Sequence, residues 1–181
     1  VRPGKQPEAG RSANPFSLSN LTPETSLVTA GHWFWEDYRT EVSARTDGGE
    51  IGLVAGYRGP ETYILLRYTL HLDMRHPGKL ELIRRSPKGQ ELLGSRFVEG
   101  RAGNWYRLQL AIKGGLIIAG VDDTPLFSFE RPDAAGGKVG LYSSKARAYF
   151  DDFLVESDAS LKLDTKKLIE SCTRTTDRKK V

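Results

Sequence analysis

The chain has 181 residues, 19 glycines, 9 prolines, one cysteine and a formal net charge of +4, with a mean hydropathy of −0.45. That length suits one domain with a substantial core, and Cys172 alone permits neither an intrachain disulfide framework nor a cysteine-based zinc site. No apolar run reaches the roughly 18 residues of a membrane-spanning helix. A start at Val1 rather than methionine points to a piece of a longer protein.

The basic balance, with a pI near 9.2, raises the question of nucleic acid. Residues 160–181 hold seven Lys/Arg and three Asp/Glu, a balance of +4 that equals the charge of the whole chain. The remainder is neutral in sum. A phosphate-binding surface concentrates cations on one face, so nucleic acid is not an expected partner.

In chain order, residues 1–11 read as a flexible leader rich in Gly, Pro and charge. "ANPFSLSN" and "TSLVTAG" offer two short strands. "GHWFWEDYRTEVSAR" places an aromatic cluster at the start of a clear period-two alternation, with Tyr38, Thr40, Val42 and Ala44 on one face. "TDGG" is a turn, and "EIGLVAGYR" continues with Ile51, Leu53, Ala55 and Tyr57 against Gly52, Val54, Gly56 and Arg58. Alternate glycines clear one face for a packed layer, a bend or a ligand.

"TYILLRYTLHL" is apolar on both faces and predicts a central strand, with Tyr63, Leu65 and Arg67 opposed to Ile64, Leu66 and Tyr68. "KLELIRR" and "ELLGSRF" around "SPKGQ" predict a hairpin. "NWYRLQLAIKG" turns Tyr106, Leu108, Leu110 and Ile112 inward, and "LIIAGVDDTPLFSFE" is two strands joined at Asp122-Asp123. "GKVGLYSS" and "ARAYFDDFLVES" complete the series. Short strands with turn signals between them predict an antiparallel sandwich or barrel over residues 12–156. Residues 157–181 form a basic tail or linker, with one short helix capped by Asp164.

Four phrases in this order, "WEDYRTEVSARTDGGEIGLVAGYRGPETYILLRY", "GKLELIRR", "GNWYRLQLAIKGGLIIAGVDDTPL" and "GKVGLYSSKARAYFDDFLV", resemble the concanavalin A-like lectin/glucanase superfamily. The nearest resemblance is to laminin-G-like and family 16 glycoside hydrolase-like modules. It implies an all-β jelly-roll sandwich of two antiparallel sheets, often with glycan on the concave one. It also implies an extracellular or cell-surface setting and, at Asp151 or Asp152 of "AYFDDFLV", a structural calcium held with backbone carbonyls.

In the resembling modules an aromatic before "DYR" marks the start of a long strand, which assigns Trp35 and Tyr38 to the core and leaves His32 and Trp33 further out. Candidate glycan-binding residues are Trp33, Arg58, Tyr63 and Arg67. Tyr63 and Arg67, four residues apart on one strand face, are separated by about 13 Å, near two sugar units. The competing reading makes Tyr63 a core residue and Arg67 a salt-bridged neighbour.

The catalytic strand pattern of family 16 hydrolases, E-x-D-x-E or E-x-D-x-x-E, does not occur. Glu36-Asp37 and Asp151-Asp152 are adjacent acids that point to opposite faces of a regular strand unless a bulge intervenes. The scattered His32, His71 and His76 fit neither a nucleophile elbow nor a zinc helix. The expected function is therefore a noncatalytic carbohydrate-binding or adhesion module of a larger protein, its partner a glycan or polysaccharide. The alternatives are a structural or protein-interaction domain and a hydrolase of the 3-keto-glycoside type.

Overall fold

A computed structural model describes residues 17–73, 76–131 and 136–157. The expectations for the leader at 1–11 and for a helix and basic tail beyond Ser157 lie outside the described residues. No helix among the described residues is long and apolar enough to cross a membrane.

Twelve strands form two antiparallel six-stranded sheets: β1 Leu18–Asn20, β2 Ser26–Ala30, β3 Tyr38–Thr46, β4 Gly49–Gly59, β5 Thr62–Leu70, β6 Gly78–Ser86, β7 Gly89–Val98, β8 Tyr106–Lys113, β9 Leu116–Val121, β10 Thr124–Glu130, β11 Lys138–Ser144 and β12 Ala148–Ser157. The first sheet runs β1-β12-β3-β8-β9-β10 and the second β2-β11-β4-β5-β6-β7. The meanders β4 to β7 and β8 to β10 lie in different sheets, while the beginning and end of the chain interleave through β1-β12 and β2-β11. The result is the jelly-roll sandwich that the strand pattern and the resemblance predict.

The core forms where the alternating apolar faces meet. Val42 and Ala44 of β3, Leu108 and Leu110 of β8, Leu53 of β4, Leu66 and Tyr68 of β5, and Leu80 and Leu82 of β6 are essentially inaccessible to water. Each buried Leu or Val contributes about 1.5–3 kcal/mol of transfer free energy, which is why a sheet with one apolar face must find a second sheet. Tyr68 meets Tyr106 edge-on across the core, with centroids 5.2 Å apart. The Asp122-Asp123 turn is as tight as its sequence predicts, both residues having φ near the left-handed region at 50° and 60°.

One strand departs from simple alternation. In β4, Ile51, Leu53 and Ala55 face the core as predicted, but Gly56 adopts φ 61° and the register with both neighbouring strands slips there. This bulge corrects the sequence reading: Tyr57 packs with Val54 on the outer face, not with Ala55 in the core. The Gly56 amide donates to the Tyr38 hydroxyl at 2.7 Å. Burial pushes that phenol up to about 12, against the lowering effects of the Gly56 amide and the Arg58 charge. Tyr38 thus holds the kink as a neutral side chain.

Candidate functional site

Directly opposed residues in a sheet share a face, so strand register maps the outer surface of the second sheet row by row. At one end, Lys138, Tyr57, Tyr63, Arg85 and Gln90 stand on β11, β4, β5, β6 and β7. Next comes an apolar row of Gly140, Val54, Leu65, Ile83 and Leu92. Tyr142, Gly52, Arg67, Glu81 and Ser95 make the third. Ser144, Glu50, Thr69, Lys79 and Phe97 make the fourth.

Among the described residues no second layer of backbone covers this face, yet Val54, Leu65 and Ile83 are 0%, 5% and 2% exposed, sealed beneath Tyr57, Tyr63 and Tyr142. The rings of Tyr57 and Tyr63 stack at 5.9 Å and 26°. Both are only partly buried, so they form an amphipathic aromatic platform with polar tips. Gly52 serves this packing: a Cβ there would come within 2.8 Å of the Leu65 side chain and the Leu66 carbonyl and 3.2 Å from Tyr142. The space opened by the alternating glycines is filled by the protein's own side chains.

The third and fourth rows carry a charge network. Arg67 donates through Nε and Nη2 to Glu81 at 3.2 and 2.7 Å, and its Nη1 lies 3.7 Å from Glu50. Lys79 closes on Glu81 at 2.7 Å. Glu50 also accepts from Lys145 at 2.6 Å and from the Tyr142 hydroxyl at 2.9 Å. Burial presses the Glu81 carboxyl upward, but the hydrogen bonds and charges of Lys79 and Arg67 outweigh it and hold the group below the usual glutamate range. Burial likewise opposes the Arg67 cation, and Glu81 with Glu50 more than restores it. Burial and the Glu50 hydrogen bond raise the Tyr142 phenol.

Of the four predicted binding residues, Tyr63 and Arg67 share the outer face of β5, two rows apart. The competing reading of Arg67 describes its bonds correctly, whereas Tyr63 lies outside the sandwich core. Arg58 is exposed just beyond the bulge and donates to the Gly136 carbonyl at 2.9 Å. Trp33 is 52% exposed on the segment between β2 and β3, edge-on to Phe34. His32 stacks on Phe34 and meets Trp35 edge-on, and Trp35 packs against the core and against Tyr38. The Gly137 amide donates to the Trp35 carbonyl at 2.8 Å, which brings the Trp33 segment to the same end of the sandwich as Arg58. Neither Trp33 nor Arg58 joins the Tyr57-Tyr63 stack.

The sequence reading missed Glu50, Glu81 and Tyr142 as parts of one arrangement. Their strands meet through long-range pairing, and only the acidic residue set between Leu80 and Leu82 in "KLELIRR" hinted at it.

Asp151 and Asp152 lie in β12, where the register with β3 slips between Asp151 and Leu154 and Asp152 has φ 51°. Asp151 accepts the Asp152 amide at 2.8 Å, and Ser43 approaches the Asp152 carboxylate at 3.5 Å. Among the described residues no three His, Cys, Asp or Glu side chains gather as a metal-binding group. Each carboxylate thus meets a donor of the chain itself at the bulge, and a calcium ion here, which takes six to eight oxygens, would have to draw most of them from backbone carbonyls. Asp37, at φ 50°, similarly accepts the Gly114 amide at 2.7 Å.

The architecture is that of the concanavalin A-like sandwiches. Solved structures that share it include the carbohydrate-binding module CBM66 from Bacillus subtilis, at TM-score 0.63 and 15% identity, over 77% of this chain and 86% of that one. A xylan beta-1,4-xylosidase from Bacillus halodurans C-125 superposes at 0.59 and 15% identity, over 78% of this chain and 32% of the xylosidase. CG-16, a homodimeric agglutinin from chicken liver, does so at 0.54 and 9% identity, over 74% of this chain and all 100% of the agglutinin. At these identities the likeness is one of fold. No protein-family model matches the sequence, and no curated protein does.

Proposed function

We propose that this chain is a noncatalytic carbohydrate-binding module whose sugar site is the outer face of the second sheet. The observation that carries the reading is the stacked Tyr57-Tyr63 pair beside the Arg67 network. A pyranose presents an apolar C–H face suited to an aromatic platform and hydroxyls suited to fixed donors and acceptors. CBM66 and the agglutinin, which share the fold, are sugar-binding by name and support the same reading.

The electrostatics favour binding over hydrolysis. A glycosidase keeps one carboxyl protonated as acid and a second ionised as nucleophile or base. Here Arg67 and Lys79 hold Glu81 ionised, and Glu50 is tied to Lys145 and Tyr142. Both carboxylates are consumed as acceptors that orient donors. A second reading, a protein-interaction domain, draws on Phe97 and Leu92, which are 74% and 54% exposed at the β7 edge of this face.

A glycan array followed by calorimetry on the hits tests the proposal, with Tyr57→Ala and Tyr63→Ala as the variants. Each should weaken binding by about tenfold or more, equivalent to about 1.4 kcal/mol, without releasing reducing sugar from wild-type or variant. Wild-type affinity in both folded variants would remove the platform from the site, and a blank array would favour the protein-interaction reading.

A further inference from the structure

The charge on this face is unequal. Its rows and the turn after β11 carry five cations, Arg67, Lys79, Arg85, Lys138 and Lys145, against two carboxylates, Glu50 and Glu81. Including Glu61 of the β4–β5 turn, the face remains positive. Both strand carboxylates are almost wholly buried, with side-chain exposures of 5% and 7%, whereas Lys79 and Lys145 are 42% and 68% exposed. A ligand approaching from solvent therefore meets cations first.

The excess is clearest in the row of the aromatic platform. Lys138 is the register partner of Tyr57, and Arg85 is the register partner of Tyr63. Among the described residues, neither cation has a carboxylate within ion-pair distance. From β11 to β6 the row spans three strand spacings, about 14 Å. A sugar stacked on the tyrosines lies between two uncommitted cations, one of them a guanidinium able to grip an acidic group in bidentate fashion.

From this geometry we infer that the glycan bound here is anionic, carrying uronate carboxylates or sulfates, with Arg85 and Lys138 as the residues that read its charge. The inference rests on the carbohydrate-binding reading and adds the substrate class. Arg67 and Lys79 are already committed to Glu81, so they position and screen the site; Arg85 and Lys138 supply the unspent charge. The attraction acts across a solvent-exposed surface, so salt must weaken it as the Debye length falls from ~10 Å at 0.1 M to ~3 Å at 1 M.

The test is calorimetry with a short oligogalacturonate, its carboxyl-reduced uncharged counterpart, a sulfated oligosaccharide and poly-L-glutamate. At low salt the expected result is that an acidic glycan, uronate or sulfated, binds about tenfold or more tighter than the reduced one. High salt should remove most of that advantage. The double variant Arg85→Gln with Lys138→Gln should keep its melting temperature and lose the preference, binding the acidic and the reduced sugar with similar affinity.

Equal affinity for the uronate and its reduced counterpart, with no tighter binding of the sulfated sugar, would overturn the charge inference and leave the carbohydrate reading standing. So would an acidic preference that survives in the double variant. Poly-L-glutamate binding as tightly as the acidic glycan would reduce the face to a general polyanion surface and overturn the inference. Binding of no glycan, charged or neutral, would overturn both readings.

Discussion

Arg67→Met tests the charge network where the structure makes its strongest energetic claim. The substitution keeps the unbranched aliphatic stem but deletes the guanidinium that joins Glu81 to Glu50. Removing one partner of a fully buried pair costs about 3–5 kcal/mol, because the other charge is left desolvated. Here the guanidinium is 24% exposed, and each carboxylate keeps a lysine, at 2.7 Å for Glu81 and 2.6 Å for Glu50. The expected loss is therefore smaller, about 2 kcal/mol at pH 7. For a domain of this size that lowers the melting temperature by roughly 4–8 °C.

The pH dependence separates a buried network from a surface ion pair. Glu81 has a folded-state pKa below its unfolded value, so its stabilisation is fully present above the unfolded value of about 4.3 and is lost as pH falls through the folded one. Arg67→Met removes much of that depression while burial continues to press the carboxyl upward. Acid neutralises the stranded carboxylates, so the gap between variant and wild type should narrow below about pH 4. Urea unfolding at pH 7 and pH 3.5 measures it. A gap that stays constant with pH, or wild-type stability of the variant at pH 7, would refute the reasoning.

Tyr38→Phe leaves the buried Gly56 amide without its acceptor; we expect a loss of about 1–3 kcal/mol in urea unfolding and weaker glycan binding, because the kink that turns Tyr57 outward loosens. Gly52→Ala drives a Cβ to 2.8 Å from the Leu66 carbonyl, and a cost of about 1–3 kcal/mol is expected, read as a lower melting temperature. Calcium added to chelator-treated protein should leave the melting temperature unchanged, since Asp151 and Asp152 meet the chain's own donors. A calcium-dependent rise that disappears in Asp151→Asn would place a metal at the β12 bulge after all.

The sequence by itself determined the fold class. Alternation in 38–46 and 106–112 is a local property of the chain, and in a sheet it names the buried face directly. Period two also set Tyr63 with Arg67 on one face, the acidic pair itself marked the Asp122-Asp123 turn, and the resemblance assigned Tyr38 to the core. Only the tertiary structure decided what stood around them. Glu50, Arg67 and Glu81 come from three strands, and which residue opposes which depends on register set by long-range packing, which no local pattern encodes. The bulge at Gly56 lies outside period-two logic for the same reason. There the hydroxyl of Tyr38, eighteen residues away, satisfies the amide that the kink removes from the ladder, and beyond the kink Tyr57 leaves the face that strict alternation shares with Ala55 and becomes half of the aromatic platform.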